Sequence, residues 1–399
     1  MFAASSLLDL LTPDPARVPW DELQVFDWVR ALEGCPQDPI HHAEGNVWIH
    51  TRMVLETLLG LPEWRALPAE EQRVVYLACL LHDVAKPATT REEGGRITAK
   101  GHSRAGELLA RRLLWELGAP FALREHVCAL VRYHQIPFYL IERGDAQRVA
   151  AEISLHARCD LLALVAEADI RGRVCADMGR VVDNIELFRE FCREEGCYRG
   201  PRAFASDHTR FVYFRSDPAG GRPPDVEVYD DTRAEVVVMS GLPGAGKDTY
   251  VRSHFADWPV VSLDALRSEL EIDPTDTQGQ VVQAARERAK EHLRRGERFV
   301  WNATNLSRQR RGPVLQMAAD YGARIRVVYV EVPRTVLFAQ NRAREAAVPE
   351  AAIRRMIERW EIPGKTEAHE VVLAVRGEGE TRGGHSRADR PAALAGATR

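Results

Sequence analysis

The sequence predicts a multidomain protein in which an all-α domain precedes an α/β domain with a parallel sheet. Three observations support this fold class. Apolar residues recur at helical spacing from about residue 19 to residue 196, short β-branched runs alternate with helical segments from residue 234, and the first of those runs leads directly into a glycine-rich loop. At 399 residues with 45% hydrophobic content, the chain is long enough to build more than one core.

The helical spacing is clearest at 70–84, 103–117, 121–133 and 149–171, with no convincing strand between these segments. Farther along, predicted strands begin near Val236, Val260, Phe299, Ile325 and Glu370. We therefore expect an all-α domain at 18–196, a linker with a possible small hairpin at 197–233, and an α/β domain at 234–376. The remaining stretch, 377–399, is rich in Gly, Ala and Arg without periodicity and is predicted to be disordered.

The composition limits the classes of function. A net charge of −4 gives no overall attraction for nucleic acid, so contact with RNA or DNA would depend on local arginine clusters. There is no signal-peptide pattern and no apolar run of membrane-spanning length, which predicts a cytoplasmic protein with no membrane partner. The seven cysteines include no C-x-x-C pair, which is typical of reduced thiols rather than of disulfides or a zinc ribbon.

Histidines and aspartates recur through the all-α domain at places where they could meet in the fold. The candidates are His50, His82, Asp83, His102, His134 and Asp169. Imidazole and carboxylate ligands together suit divalent ions such as Mn, Fe, Co, Ni or Zn, and a metal bound in this way acidifies a coordinated water. Because His82 and Asp83 are adjacent near the end of one helix, the remaining ligands have to come from other segments.

The order of these motifs resembles the HD superfamily of metal-dependent phosphohydrolases, especially the HD domains found with transfer-RNA nucleotidyltransferases. The resemblance covers residues 39–173 and includes LLHDVAKP, GHSRAG, LVRYHQ and EADIRGR. The core metal ligands that it implies are His50, His82, Asp83 and Asp169. It further implies that His102 and His134 bind a second metal or contact the scissile phosphate. Lys86, one helical turn beyond His82, would neutralise phosphate charge.

The α/β domain opens with EVVVMSGLPGAGKDT at 235–249, in which a buried strand leads into a glycine loop that ends in a lysine. Gly241, Gly244 and Gly246 permit a tight turn whose backbone N–H groups converge on one anion, and Lys247 adds a cation at the start of a helix. The spacing matches the G-x-x-x-x-G-K of P-loops and predicts a site for a nucleoside triphosphate such as ATP, with Mg²⁺. The predicted nucleotide-binding residues are Gly241, Gly244, Ala245, Gly246, Lys247, Asp248 and Thr249.

One position of this loop departs from the usual pattern. The residue after the lysine is normally Ser or Thr, whose hydroxyl binds Mg²⁺, but here it is Asp248, and Thr249 follows. Asp248 could hold the ion through water, or Thr249 could substitute for the usual hydroxyl. The sequence leaves both alternatives open.

Candidate residues for phosphoryl transfer follow two of the predicted strands. Asp264 comes after VVSL at the carboxyl edge of the sheet, where a carboxylate can accept the proton of an attacking hydroxyl. Arg267, on the same helical face, could bind an anionic group of the acceptor. Arg342 and Arg344, in a segment typical of a helical lid, are candidates for stabilising the transferred charge.

This half of the chain resembles the phage-type polynucleotide kinases, which phosphorylate 5′-hydroxyl ends. The matching pieces, within 235–375, are GLPGAGKDT, the Asp264 and Arg267 pair, TNL at 304–306 with the arginines at 310–311, and the arginine-bearing lid. The resemblance implies that Lys247 binds the donor phosphates and that Asp264 is the general base. It also implies that Arg267 binds a phosphate of the acceptor and that the two lid arginines bind the transferred group.

Together, the two halves resemble bacterial bifunctional enzymes that heal broken RNA ends. The resemblance implies a kinase for 5′-hydroxyl ends and a metal-dependent phosphoesterase for 2′,3′-cyclic, 2′- or 3′-phosphate ends. The substrate would be RNA, with DNA as an open alternative, and a separate ligase would use the products.

Two other interpretations stay open. One is a nucleotide phosphohydrolase fused to a nucleoside or nucleotide kinase, which a preference for free nucleosides over oligonucleotides would favour. The other is a nucleotide-sensing regulator that binds without turnover, which an absence of ATP-dependent labelling of any acceptor would favour.

Overall fold

A computed structural model of the chain describes residues 8, 11–12, 18–217, 223–273 and 276–377. Apart from Gly377, the predicted disordered tail lies outside these residues. The helices of the first half are α1 (Trp20–Leu23), α2 (Asp27–Glu33), α3 (Val47–Gly60), α4 (Pro62–Arg65), α5 (Ala69–Leu81), α6 (Lys86–Thr89), α7 (His102–Glu116), α8 (Phe121–Tyr133), α9 (Ala146–Ser154), α10 (Cys159–Arg171) and α11 (Met178–Glu194). Those of the remainder are α12 (Asp207–Arg215), α13 (Lys247–His254), α14 (Leu263–Glu269), α15 (Gly279–Arg294), α16 (Arg308–Asp320), α17 (Arg334–Arg342) and α18 (Glu350–Ile357).

The helical domain packs around α5 and α10, which are buried along most of their length. The neighbouring helix α3 begins where the side chain of Asn46 accepts a hydrogen bond from the backbone N–H of Ile49 at 2.9 Å, which is a typical N-cap. Among the described residues, no helix combines the length and the apolar character needed to cross a bilayer. The predicted fold class, a helical domain followed by an α/β domain, is confirmed.

One small ribbon interrupts the helical domain. Strands β1 (Arg91–Glu93) and β2 (Arg96–Thr98) pair antiparallel, and Gly94 and Gly95 connect them with φ of 61° and 75°. A two-residue turn with positive φ at both positions is the hairpin turn that Gly-Gly favours. Our sequence analysis found no strand here because both strands are only three residues long and β1 is exposed throughout.

The α/β domain contains a five-stranded parallel sheet of β3 (Ala234–Ser240), β4 (Val260–Ser262), β5 (Phe299–Asn302), β6 (Ala323–Glu331) and β7 (Glu370–Val375). The strand order is β4-β5-β3-β6-β7, so β3 is central and its last five residues are buried. The glycine loop leaves the carboxyl end of this central strand. This is the edge at which open parallel sheets bind their ligands.

The possible hairpin in the linker at 197–233 does not occur among the described residues of that segment, which instead contain helix α12. The side chain of Ser206 accepts a hydrogen bond from the backbone N–H of Thr209 at 3.0 Å and caps the helix. Phe211 and Tyr213 are buried, and packing of this kind overrides the strand propensity of an aromatic run. The domain limits at 196 and 234 stay predictions.

The two halves are joined by a buried interface. Arg124 of α8 donates two hydrogen bonds to Glu331 at the end of β6, at 2.8 and 2.7 Å. Its guanidinium also lies 5.1 Å from the ring centroid of Trp360, which packs edge-on against Trp115 of α7. Because a bidentate Arg–Glu pair and an aromatic pair both have strict geometry, they fix the orientation of the two halves.

Candidate metal centre and phosphate-binding loop

Four imidazoles of the helical domain converge on one buried point. The Nδ1 atoms of His82, His102 and His134 lie 2.7, 2.7 and 2.9 Å from the backbone carbonyls of residues 79, 99 and 131. His50 Nδ1 lies 3.2 Å from the carbonyl of residue 172. A ring that donates its Nδ1–H to a carbonyl keeps a lone pair on Nε2, so all four rings present Nε2 to the centre.

Asp83 lies between two groups of these histidines. The Nε2 atoms of His50 and His82 are 3.2 Å apart, and His82 Nε2 is 3.1 Å from Asp83 Oδ2. On the other side, His102 Nε2 is 3.4 Å from Asp83 Oδ1 and 3.4 Å from His134 Nε2. The ligand atoms within each group lie within 4.8 Å of one another, so each group could hold one ion and Asp83 could bridge the two.

The donor set fits a divalent metal. Both Asp83 oxygens are buried without a well-aligned hydrogen-bond donor, although Lys86 Nζ lies 2.7 Å from Oδ2. Burial alone would raise the pKa of Asp83, but His82 and Lys86 lower it well below its usual range. Burial lowers the pKa of His134 to about 3, so this ring is neutral and free to coordinate. Asp169 completes the cluster, with its Oδ1 atom 3.1 Å from His50 Nε2.

A cavity of about 200 Å³ opens beside this centre, and Lys86, Gln37, His42, His102 and Arg173 line part of it. Lys86 donates a hydrogen bond of 2.7 Å to Gln37 Oε1, which turns the Gln37 amide N–H groups away from the lysine. Gln37 Nε2 is buried and has no hydrogen-bond partner. The cavity therefore offers a free neutral donor beside a cation, an arrangement that suits a phosphate oxygen.

Sequence analysis missed three residues around this centre. Glu44 lies 3.0 Å from His50 Nδ1, and Arg173 pairs with Asp169 at 2.7 Å, so both orient predicted ligands. Gln37 is the third. The signal for Arg173 was its position four residues after Asp169, just beyond the end of α10, whereas Gln37 and Glu44 lie in an irregular loop.

The glycine loop has the conformation that the sequence predicts. Gly244 and Gly246 have φ of 84° and 101°, and α13 begins at Lys247. Lys247 Nζ donates to the carbonyls of Gly241 and Leu242 at 2.8 and 3.0 Å, and burial lowers its pKa to about 8. A lysine held in this way can turn from these carbonyls to a bound phosphate.

The two residues after the loop lysine, Asp248 and Thr249, have different hydrogen-bond partners. Asp248 Oδ1 accepts a hydrogen bond of 2.7 Å from the side chain of Asn302, the last residue of β5. Thr249 instead accepts from Arg252 at 3.2 Å on the outer side of α13. Asp248 therefore faces the carboxyl edge of the sheet and Thr249 does not. Asn302 was also missed as a site residue, although its place at a strand end could have identified it.

The candidate transfer residues are only partly assembled at the loop. Asp264 lies close enough to Lys247 to influence its charge and accepts a hydrogen bond of 2.5 Å from Arg267. Arg344 also acts electrostatically on Lys247, whereas Arg342 pairs with Glu350 at 3.1 Å. Of the two predicted lid arginines, Arg344 is thus near enough to Lys247 to lower its pKa, whereas Arg342 is engaged in a pair within the lid.

The lid is anchored directly on the loop. A Cβ atom at Gly244 would lie 2.9 Å from the carbonyl oxygen of Leu337 in α17, so only glycine allows this approach. The residues 304–306 brace the other side, since the backbone N–H of Gly241 donates to the carbonyl of Thr304 at 3.0 Å. Arg311, matched above to a kinase motif, is fully buried and paired with Glu367 at 2.9 Å, so its contacts are structural.

Comparison with known families agrees with this division of the chain. Residues 47–170 match the family described as HD domain, and residues 236–363 match the family described as AAA domain. Each match covers about a third of the 399 residues. The two matched stretches correspond to the helical domain and to the α/β domain that carries the glycine loop.

The curated relatives match the HD part. A multifunctional CCA protein from Halorhodospira halophila is 38% identical over 27% of this chain and 23% of its own length. A CC-adding tRNA nucleotidyltransferase from Thermus thermophilus is 36% identical over 33% of this chain and 27% of its own length. The chain thus spans about a quarter of each of these proteins. Among solved structures, a gluconokinase from Sinorhizobium meliloti covers 36% of this chain and 84% of its own at 19% identity and a TM-score of 0.27.

Proposed function

We propose that this protein heals broken RNA ends, with one reaction in each half. The P-loop domain would phosphorylate 5′-hydroxyl ends with ATP, and the HD domain would remove 2′,3′-cyclic, 2′- or 3′-phosphates. The observation that carries the proposal is that one chain holds two ligand groups joined at Asp83 and a phosphate loop with Asp264 near its lysine. One of the matched relatives is named a tRNA nucleotidyltransferase, which favours an RNA substrate.

In the kinase half, ATP would lie on the glycine loop with Mg²⁺ near Asp248 and Asn302. The acceptor's 5′-oxygen would attack the γ-phosphorus while the bond to ADP breaks, and Asp264 would take the hydroxyl proton. Lys247 and Arg344 would balance the charge on the phosphates. Arg267 already contacts Asp264 at 2.5 Å and would hold the first phosphate of the acceptor strand.

In the HD half, the two ligand groups that share Asp83 would hold divalent ions, which supply an acidified water for attack on phosphorus. Lys86 would neutralise the phosphate, and the Gln37 amide would donate to one of its oxygens. Arg173 and Glu44 would keep Asp169 and His50 oriented. A ligase that seals the healed ends would be a separate protein.

Acceptor preference tests the proposal. The purified chain is given ATP with either a 5′-hydroxyl oligoribonucleotide, the matching oligodeoxyribonucleotide, or a free nucleoside. We expect the highest kcat/KM with an oligonucleotide, since Arg267 needs a strand phosphate to bind. A preference for the free nucleoside would instead indicate nucleotide metabolism, and no labelling of any acceptor would indicate a sensor.

A further inference from the structure

Three cysteines meet in the helical domain, away from both sites described above. Cys159 is the first residue of α10, Cys192 lies in the last turn of α11, and Cys197 follows after a turn at Gly196. All three cysteines are fully buried, and their Sγ atoms lie within 4.8 Å of one another. Neither proposed reaction uses them.

The backbone brings these sulfurs together through specific contacts. Gly196 has φ of 63°, a left-handed conformation that reverses the chain after α11. The backbone N–H of Cys197 then donates to the carbonyl of Cys192 at 2.8 Å, and that of Asp160 donates to the carbonyl of Tyr198 at 3.0 Å. The turn thus carries Cys197 back to the start of α10.

Positive charge lies near two of the three sulfurs. The N-terminus of α10 offers its partial positive charge to Cys159. The guanidinium of Arg202 adds a positive charge near Cys197. The three cysteines are free thiols and form no disulfide with one another.

We propose that Cys159, Cys192 and Cys197 form a buried trithiolate site for a soft d¹⁰ metal ion such as Zn²⁺ or Cu⁺. Three sulfurs bonded at about 2.3 Å to one ion stand about 4.0 Å apart, which is within the spacing found here. Sulfur-only ligands favour Cu⁺ and Zn²⁺ over harder ions such as Mn²⁺. Three ligands alone suit Cu⁺, whereas Zn²⁺ in a closed site takes a fourth.

Such a site has a structural consequence. It joins the end of α11 to the start of α10, and α10 carries Asp169 near its other end. The ion would be bound together with folding, as in other structural thiolate sites. The proposal is independent of the proposed reactions, because no residue of the cluster belongs to either site.

Cadmium titration of the reduced, full-length chain tests the site, because cadmium–thiolate absorption in the ultraviolet reports sulfur ligands only. We expect a band that saturates at one equivalent and protection of three of the seven cysteines from alkylation, located by mass spectrometry at 159, 192 and 197. Competition with chelators specific for Zn²⁺ and Cu⁺ then identifies which ion binds more tightly.

Two variants make the test specific. Cys197→Ala should abolish the band, whereas Cys128→Ala, which deletes an equally buried thiol of α8, should keep it. The proposal is wrong if Cys197→Ala keeps the band, or if the wild-type chain shows neither band nor protection. The chain purified without reductant gives a further test. The proposal is also wrong if two of the three cysteines form a disulfide there, seen as a mass loss of two hydrogens, and cadmium does not bind. If Cys197→Ala does not fold, the cadmium titration of the wild-type chain and the map of its protected cysteines still decide whether the site exists.

Discussion

The interface pair Arg124 and Glu331 gives a prediction whose size follows from burial. Their side chains are 1% and 7% exposed, and two hydrogen bonds join them. Arg124→Ala leaves the Glu331 carboxylate buried without its cation, with Tyr329 as a remaining donor at 2.5 Å. Loss of one partner of a buried ion pair costs about 3–5 kcal/mol, so we expect a decrease of that order in the free energy of unfolding.

The chain offers a matched control at the same interface. Arg104 pairs with Glu361 at 2.8 Å, but the arginine side chain is 57% exposed. Exposed pairs contribute about 0–1 kcal/mol, so Arg104→Ala should unfold at almost the wild-type urea concentration. The double variant Arg124→Met with Glu331→Met should recover most of the loss, because neither charge is left unpaired. If Arg124→Ala is no more sensitive to urea than Arg104→Ala, the pair does not stabilise the interface as described.

Three further predictions concern the sites. Asp248→Ala should raise the Mg²⁺ concentration needed for kinase activity about 10–100-fold, whereas Thr249→Ala should change it little. Asp248→Ser should bring the Mg²⁺ requirement back towards the wild-type value. Equal effects of the two alanine variants would contradict the assignment of Asp248 to the metal. Gln37→Ala should raise KM of the HD reaction about tenfold, because one hydrogen bond to a charged oxygen is lost, and should leave the kinase reaction unchanged. Steady-state kinetics with a 2′,3′-cyclic phosphate end measure this KM, and an unchanged value would refute the prediction. The kcat/KM for ATP should fall as pH rises through about 8, because Lys247 binds phosphate only when protonated and burial lowers its pKa to that value; a profile that stays level at higher pH would refute this.

Much of the fold could be predicted because the pattern was local. The strand before the glycine loop, the loop and α13 follow from a β-branched run, three glycines and a lysine in sequence. The ribbon at 91–98 and helix α12 could not be predicted in the same way. The ribbon is too short for a periodic signal, and α12 depends on the cap at Ser206 and on burial of Phe211.

The candidate sites show the same division. Histidine and aspartate types are recognisable in sequence, and the structure brings all six predicted ligands into one cluster. Residues that act through contacts between distant segments cannot be recognised in this way. Gln37 is 49 residues from Lys86 and Asn302 is 54 residues from Asp248, so each pair exists only in the folded chain. Arg342 is the opposite case. Its role at the transferred phosphate was predicted from its position in the sequence, but in the fold its side chain pairs with Glu350.

The separation of two reactions is tested most directly on one RNA that carries a 5′-hydroxyl and a 2′,3′-cyclic phosphate. We measure both ends after incubation with ATP and metal, using wild type, Lys247→Ala and Asp83→Ala. Lys247→Ala should leave the 5′ end unphosphorylated and still open the cyclic phosphate, and Asp83→Ala should do the reverse. Each loss should be at least about 100-fold, the size expected when a phosphate-binding cation or a ligand of the catalytic metal is removed. Loss of both activities in either variant, with the fold intact, would contradict the assignment of one reaction to each half.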